Sequence, residues 1–540
     1  MRQPICGLCQ RTGSSCIFPT KRKTPEFKRS HKKDGRKQSI DPHQLDLERL
    51  VDLLASRLQD GGQDFDLSPQ SDPSPRSLDR SEPDSHHDHV LLDAPASHGS
   101  TSSGSDPLPA DDYSGFPARA PTRVSDDQLD DPGCSPCSIQ EAPWLTVPEH
   151  IAIELIYLYF DKIQPWLPLL HRPNFFARYL GSNSSFLSPA TYSDEDALLI
   201  YGILALAARH SSNVHFRGIP APDRGKQFAD EATLLYRRLR AAEEPPTLKC
   251  LQGCVLLAVY LCTSGPGHST WILTGICVRM AYDLDLCNMD EAPQDPAEWT
   301  AMEERRRLFW VIWELDSFGS TLTGRPSAIN HHRMAVLLPV NNAAWFAQEP
   351  VGSALLSPRP REAWKSLLES PNQDERAWFL LANYLMYMAY EMASSGRTCQ
   401  SERDELVDAL TCFHLAVSQR FSLETHADLF DRENCTKHNW IMGMHLMLTA
   451  ARVRLSALDE TQRNGSLMCT REFSRIIHHW HPETIVLSHP FLACILLVPH
   501  MGVTDSTLRA GNSLHANTDM TLLMLSQYSS VWKLGSVLTG

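Results

Sequence analysis

The chain has 540 residues, too many for one compact core, so two or three units with linkers are expected. Apolar residues make up 42%, which suits a globular majority, while the formal net charge of −14 argues against nucleic acid only if it is spread evenly. It is not. Residues 1–59 carry 13 Lys/Arg against 6 Asp/Glu, and residues 60–140 carry 4 against 16. A basic amino-terminal arm therefore precedes an acidic stretch.

The arm begins with "CGLCQRTGSSCIFPTKRK" (6–23). Cys6 and Cys9 stand at chelating spacing, and Cys16 follows after six residues. Zinc prefers four soft donors in a closed tetrahedral site, so three thiolates leave the shell short. The basic run that follows suits phosphate contact, since each cation that meets a phosphate releases counterions. Its residues include Arg11, Lys21, Arg22, Lys23, Lys28 and Arg29. A redox CxxC or idle thiols are the alternative, but neither accounts for the adjoining basic run and helix.

Next, Leu47, Val51, Leu54 and Leu58 recur at spacings of four, three and four, a narrow helical seam over 45–58. It reads equally as a short dimerising coiled coil and as a helix docked on its own chain. Residues 60–140 hold eleven prolines and three aromatics, too little apolar surface to offset the entropy of ordering. They are expected to be a disordered acidic linker. Segments such as "DDYSGF" have the composition of some activation segments, although a solvated spacer is the simpler reading. "HHDH" (86–89) and the pair Cys134/Cys137 are weak metal candidates in that context.

From 147 the pattern changes to helical periods broken by Pro and Gly, and few stretches alternate with a period of two, so the class is all-α. Helices are expected over "IAIELIYLYF" (151–160), "ALLIYGILALAARH" (197–210) and "LKCLQGCVLLAVYLC" (248–262). Three more follow: "TWILTGICVRMAYDLDL" (270–286), "EERRRLFWVIWELDSF" (303–318) and "RAWFLLANYLMYMAYEMA" (376–393). Pro165, Pro168 and Pro173 should end the first. Gly324 reads as a helix C-cap with Pro326 just beyond it. Arg305, Arg306 and Arg307 read as an exposed helix face paired with Glu303 and Glu304, with an effector carboxylate or phosphate as the alternative. His171 and Arg172 are expected to satisfy backbone carbonyls. Isolated cysteines such as Cys277 and Cys494 should be buried as small hydrophobes. "HHWH" (His478, His479, His481) does not place its imidazoles on one helical face and reads as structural.

No apolar run reaches the ~20 residues a bilayer needs, the amino terminus has no signal-peptide core, and the odd cysteine count fits a reducing compartment. No GxSxG, HExxH, GxGxxG or P-loop string occurs. An all-α enzyme is therefore the weakest of the functional readings.

The cysteines with Arg11, Gly13, Pro19 and the "KRK" run resemble the second half of the fungal binuclear zinc cluster (Zn2Cys6) of transcription factors. The resemblance implies that Cys6, Cys9 and Cys16 are the fourth, fifth and sixth zinc ligands, with Cys6 bridging. "LIYLYFDKIQPWLPLLHRPNFFARY" (155–179), "YGILALAARHS" (201–211) and "EERRRLFWVIWELDSFGSTLTGRPSAI" (303–329) are similar to the fungal-specific transcription factor regulatory domain, the type also named for xylanolytic activators. That similarity is strongest over 147–340 of a regulatory domain taken as 147–540.

The family implies a nuclear, zinc-dependent, sequence-specific regulator of RNA polymerase II transcription. Its partners would be CGG-type DNA half-sites, a second copy of the chain, the transcription machinery and a small-molecule effector, with no membrane role. The first half of the cluster, which carries the DNA-reading helix, is missing, and the absent ligands are expected upstream of Met1. The alternative is a headless protein that dimerises but does not read DNA.

Overall fold

The computed structural model describes residues 145–181, 185–187, 191–292, 295–395, 399–423, 434–458, 463–498 and 513–539. The expectations for the thiolates, the basic run, helix 45–58 and the acidic linker fall outside these residues. Within them the fold is all-α, and the only β pairing is two isolated bridges, Leu180 with Phe186 and Leu337 with Leu355.

Helix α1 (Glu149–Leu158) runs into a π-helical turn, Tyr159–Ile163, and stops ahead of Pro165. The prolines strip this corner of backbone donors, and the Gln164 side chain replaces them. Its Nε2 donates to Leu170 O at 2.7 Å and its Oε1 accepts from Leu170 N at 3.3 Å. Helix α2 (Arg172–Tyr179) is capped by His171, whose Nδ1 accepts from Asn174 N while Nε2 donates to Trp345 O at 3.2 Å. His171 thus meets a backbone carbonyl as expected. Arg172 instead lies over the Phe160 and Phe176 rings, where a planar guanidinium is attracted to the aromatic faces.

Helix α3 (Asp194–Ala207) opens with a capping box between Ser193 and Asp196. It is buried on almost every side because α4 (Lys226–Ala241) and α5 (Leu248–Ser264) both pack on it. Paired glycines set the close approach of α3 and α5. A Cβ on Gly202 would stand 2.7 Å from Leu256 Cβ, and one on Gly253 would stand 2.7 Å from Leu198 Cγ. Each helix therefore seats its leucine over the other's glycine.

Helix α6 (His268–Asp283) packs against α7 (Trp299–Thr323), the longest helix described, which Gly324 ends in the left-handed conformation at φ +64°. The short α8 (Asn342–Ala347) brings Trp345 to the amino-terminal part of α7, where its Nε1 donates to Thr300 O. Helices α9 (Pro360–Glu369), α10 (Glu375–Ser395), α11 (Gln400–Arg420) and α12 (Cys435–Ser456) follow, with α10 and α12 in the most extensive pairing of the fold. Helix α13 (Arg463–His478) lies on α12. Two single-turn helices, α14 (Pro482–Ile485) and α15 (Leu492–Ile495), lead towards α16 (Ser513–Ser529) and α17 (Lys533–Thr539). The last helix returns to pack on α5, so the core is closed by residues almost 300 positions apart.

Each of the six helices expected from periodicity between 151 and 393 is present within a few residues of its expected ends. Cys277 and Cys494 are buried, and burial pushes both thiols up to about 12. None of the described helices is long and apolar enough to cross a membrane.

Candidate functional site

Two places along α7 concentrate polar or unfilled space, and they differ in kind. At the amino-terminal half, the sequence reading of an exposed Arg305–Arg307 face is corrected. Arg305 is exposed, but Arg306, Arg307 and Glu303 are buried. Arg306 grips Asp290 bidentately, with Nε 2.9 Å from Oδ2 and Nη2 2.6 Å from Oδ1. Arg307 Nε donates to Glu303 Oε1 at 2.9 Å, its other nitrogens reach Asn342 Oδ1 and Val340 O, and its guanidinium stacks 4.1 Å above Trp345.

Val340 N donates to the same Glu303 oxygen at 2.9 Å. Two turns on, Arg376 of α10 donates two hydrogen bonds to the Glu314 carboxylate, one of them, Nη1 to Oε1, at 2.6 Å. Loop 335–342 is held here by Val340, whose N and O end on Glu303 and Arg307, and loop 285–290 by the Asp290 carboxylate on Arg306. Periodicity misread the row because α7 is covered on the side where a surface helix would be wet. Burial raises the Glu303 and Glu314 carboxyls, an effect that the neighbouring arginines oppose. Arg306, Arg307 and Arg376 are each taken up by a carboxylate or by backbone, so these three buried cations are not open to an effector anion.

At the carboxyl-terminal end of α7 lies a cavity of about 220 Å³. Its walls come from α5, α6, α7, α10, α15 and α17. The inner surface is apolar, formed by residues such as Leu315, Phe318, Leu497 and Leu538. The rim carries exposed Gly267 and His268 and half-exposed Trp271 and Arg325. Arg325 lies 5.2 Å from the Trp271 ring. Thr321, 8% exposed, lines the cavity, and its hydroxyl has no hydrogen-bond partner among the described residues. No Asp or Glu is among the described residues that line it.

The sequence reading assigned no ligand site. Its one relevant signal was the Gly324–Pro326 stop, which ends α7 and thereby sets Arg325 at the rim. The HHWH histidines are not gathered into a site. His478 bonds Ser474 O on its own helix, and buried Trp480 donates to Asn439. No cluster of three His, Cys, Asp or Glu with metal-binding geometry occurs among the described residues.

Residues 156–430 match the family model described as the fungal specific transcription factor domain. The citrinin biosynthesis transcriptional activator mrl3 of Monascus ruber is 25% identical over 363 residues, covering 66% of this chain and 64% of that protein. The transcription factor tazR of Aspergillus terreus is 26% identical over 39% of this chain and 32% of its own length. The pigment biosynthesis transcriptional activator pigB of Monascus ruber is 28% identical over 37% and 35%. The chain thus spans less than two thirds of the length of these curated relatives. The family and these relatives are transcription factors, not enzymes. With a match over half of its length, this chain belongs to the fungal specific transcription factor domain family.

Proposed function

We propose that the chain is a nuclear regulator of RNA polymerase II transcription that acts on DNA as a zinc-dependent, dimeric protein. The observation that carries this reading is the family match across 156–430, on the helices that build the core. In support, the amino-terminal arm has the charge for a phosphate partner and the donors for zinc. Three thiolates, Cys6, Cys9 and Cys16, are right in kind for that metal and one short in number, so His31 or water would complete the shell. Zinc would supply the fold of this arm. Arg11, Lys21, Arg22, Lys23, Lys28 and Arg29 would contact phosphates, and Leu47, Val51, Leu54 and Leu58 would pair subunits. The transcription machinery would be met through the remainder of the chain.

A second reading is a partner that dimerises with other family members and does not itself read DNA. A titration of the full chain against a CGG-containing duplex and a scrambled one, at two salt concentrations, separates the two. With five to eight phosphates neutralised, log K should fall with log salt at a slope of about −5 to −7, with little discrimination between the duplexes. No association with either duplex at low salt would discard direct DNA binding in favour of the dimerising partner.

A further inference from the structure

The cavity at the end of α7 has a shape and a polarity that together describe an occupant. Its roughly 220 Å³ exceeds the ~150 Å³ that takes up a benzene ring in an engineered apolar core, so a fused two-ring body fits. The inner wall is apolar, and expelling water from it on binding is favourable. Polarity is confined to few points, which is how ligand pockets fix orientation. Arg325 stands at the rim, permanently charged, with its face on Trp271. Inside, the Thr321 hydroxyl is buried without a partner, a state that costs free energy until something bonds to it. No carboxylate is among the described lining residues, while Arg325 puts a positive charge at the rim, so these residues favour an anionic guest over a cationic one.

We propose that this cavity binds a compact carboxylic acid with an apolar, two-ring body. The rings lie between Trp271, Phe318 and Leu538, the carboxylate meets Arg325 at the rim, and an oxygen on the body takes the Thr321 hydroxyl. The guest bridges α6 and α7 to α17, so it fastens the last helix to the rest of the core. Its binding does not depend on the regulator reading: a chain that never touches DNA would hold the acid all the same.

Gly319 offers a clean way to block the site. A Cβ there would meet Trp271 Cζ3 at 3.4 Å, ordinary contact distance, so Gly319→Leu projects into the cavity without displacing backbone. The change also replaces a helical glycine by a strong helix former, so the fold should be kept. The test is calorimetric titration of the full chain with 2-naphthoate, naphthalene and 2-(aminomethyl)naphthalene, alongside thermal unfolding of each variant. The acid should bind at least about tenfold more tightly than the amine. Arg325→Gln should weaken the acid about tenfold and leave naphthalene within about twofold. Gly319→Leu should abolish binding of both with an unchanged or higher melting temperature. An acid that binds no better than the amine, or that keeps its affinity in a folded Gly319→Leu protein, would overturn the proposal.

Discussion

The two ends of helix α7 make opposite use of the same burial. Towards its start, charge is brought into the core and paired, Glu303 with Arg307 and Arg306 with Asp290, and a further buried pair, Glu314 with Arg376, lies just past its middle. Towards its finish the surroundings are apolar, the packing is incomplete, and the Ser320 and Thr321 hydroxyls are left without a partner among the described residues. The first end fixes loops in place; the second keeps capacity for something else. Functional readings follow from what a buried group has left over, and the charged cluster has little.

The largest effect that would sharpen this contrast is at Glu314. Replacing one partner of a buried pair leaves an uncompensated charge, so Glu314→Gln should cost about 3–5 kcal/mol in chemical denaturation. The double variant Glu314→Leu with Arg376→Leu should recover most of that loss. If Glu314→Gln is nearly neutral, buried charge on α7 is not what makes its surroundings rigid.

The second effect is a pH dependence centred on imidazoles packed against α7. His489 lies among Trp166, Phe318, Phe379 and Phe491, and burial, aided by the charge on Arg376, pushes it down to about 3. His331 accepts from Trp313 Nε1 at 3.2 Å and is pushed down to about 4 by burial and by His332. Both rings stay neutral in the folded chain and gain a proton on unfolding below their ordinary value near 6.5. Stability present at pH 7 is therefore lost as the pH falls through 6.5, by about 1.4 kcal/mol per pH unit for each ring. Unfolding titrations at pH 7 and pH 5 should show the loss, and His489→Phe should remove one ring's share of it.

How much of this was legible beforehand depends on what the sequence pattern carries. Helix positions followed from apolar spacing and from Pro and Gly stops, because those are local. The Gly324 cap and the burial of Cys277 and Cys494 followed for the same reason. The error at Arg306 and Arg307 arose because an i, i+4 charge pair looks alike on a wet and on a covered helix. Only the partners Asp290, Val340 and Asn342, distant in sequence, tell the two apart. The cavity escaped notice because its walls come from six helices separated by up to about 270 positions. No single segment bears its mark.

The remaining expectations are smaller and concern the hollow end. Gly319→Ala should stabilise by up to about 1 kcal/mol, since the helix gains propensity and the new methyl meets the Trp271 ring at contact distance instead of backbone. A destabilised Gly319→Ala protein would mean that the cavity is tighter than its geometry indicates. Arg325→Gln should cost at least about 0.5 kcal/mol, the scale of its contact over the Trp271 ring, which is one of the interactions Arg325 makes. A loss several times larger would make Arg325 a structural residue of the rim and not a recognition group.

The docking of α17 on α5 has a consequence for how the chain is made. Arg209, just after α3, is held between Tyr260 at 4.3 Å and Trp532 at 5.2 Å, and it donates to Thr263 and Ser264. Its aromatic sandwich is complete only when residue 532 is available. During synthesis, at roughly 5–20 residues per second, the early helices must wait for about 300 further residues before this guanidinium is covered. Such distant closure is slow and leaves apolar surface open in the meantime. Nascent chains stalled just short of Trp532 should therefore recruit chaperones more strongly than chains released a few residues later.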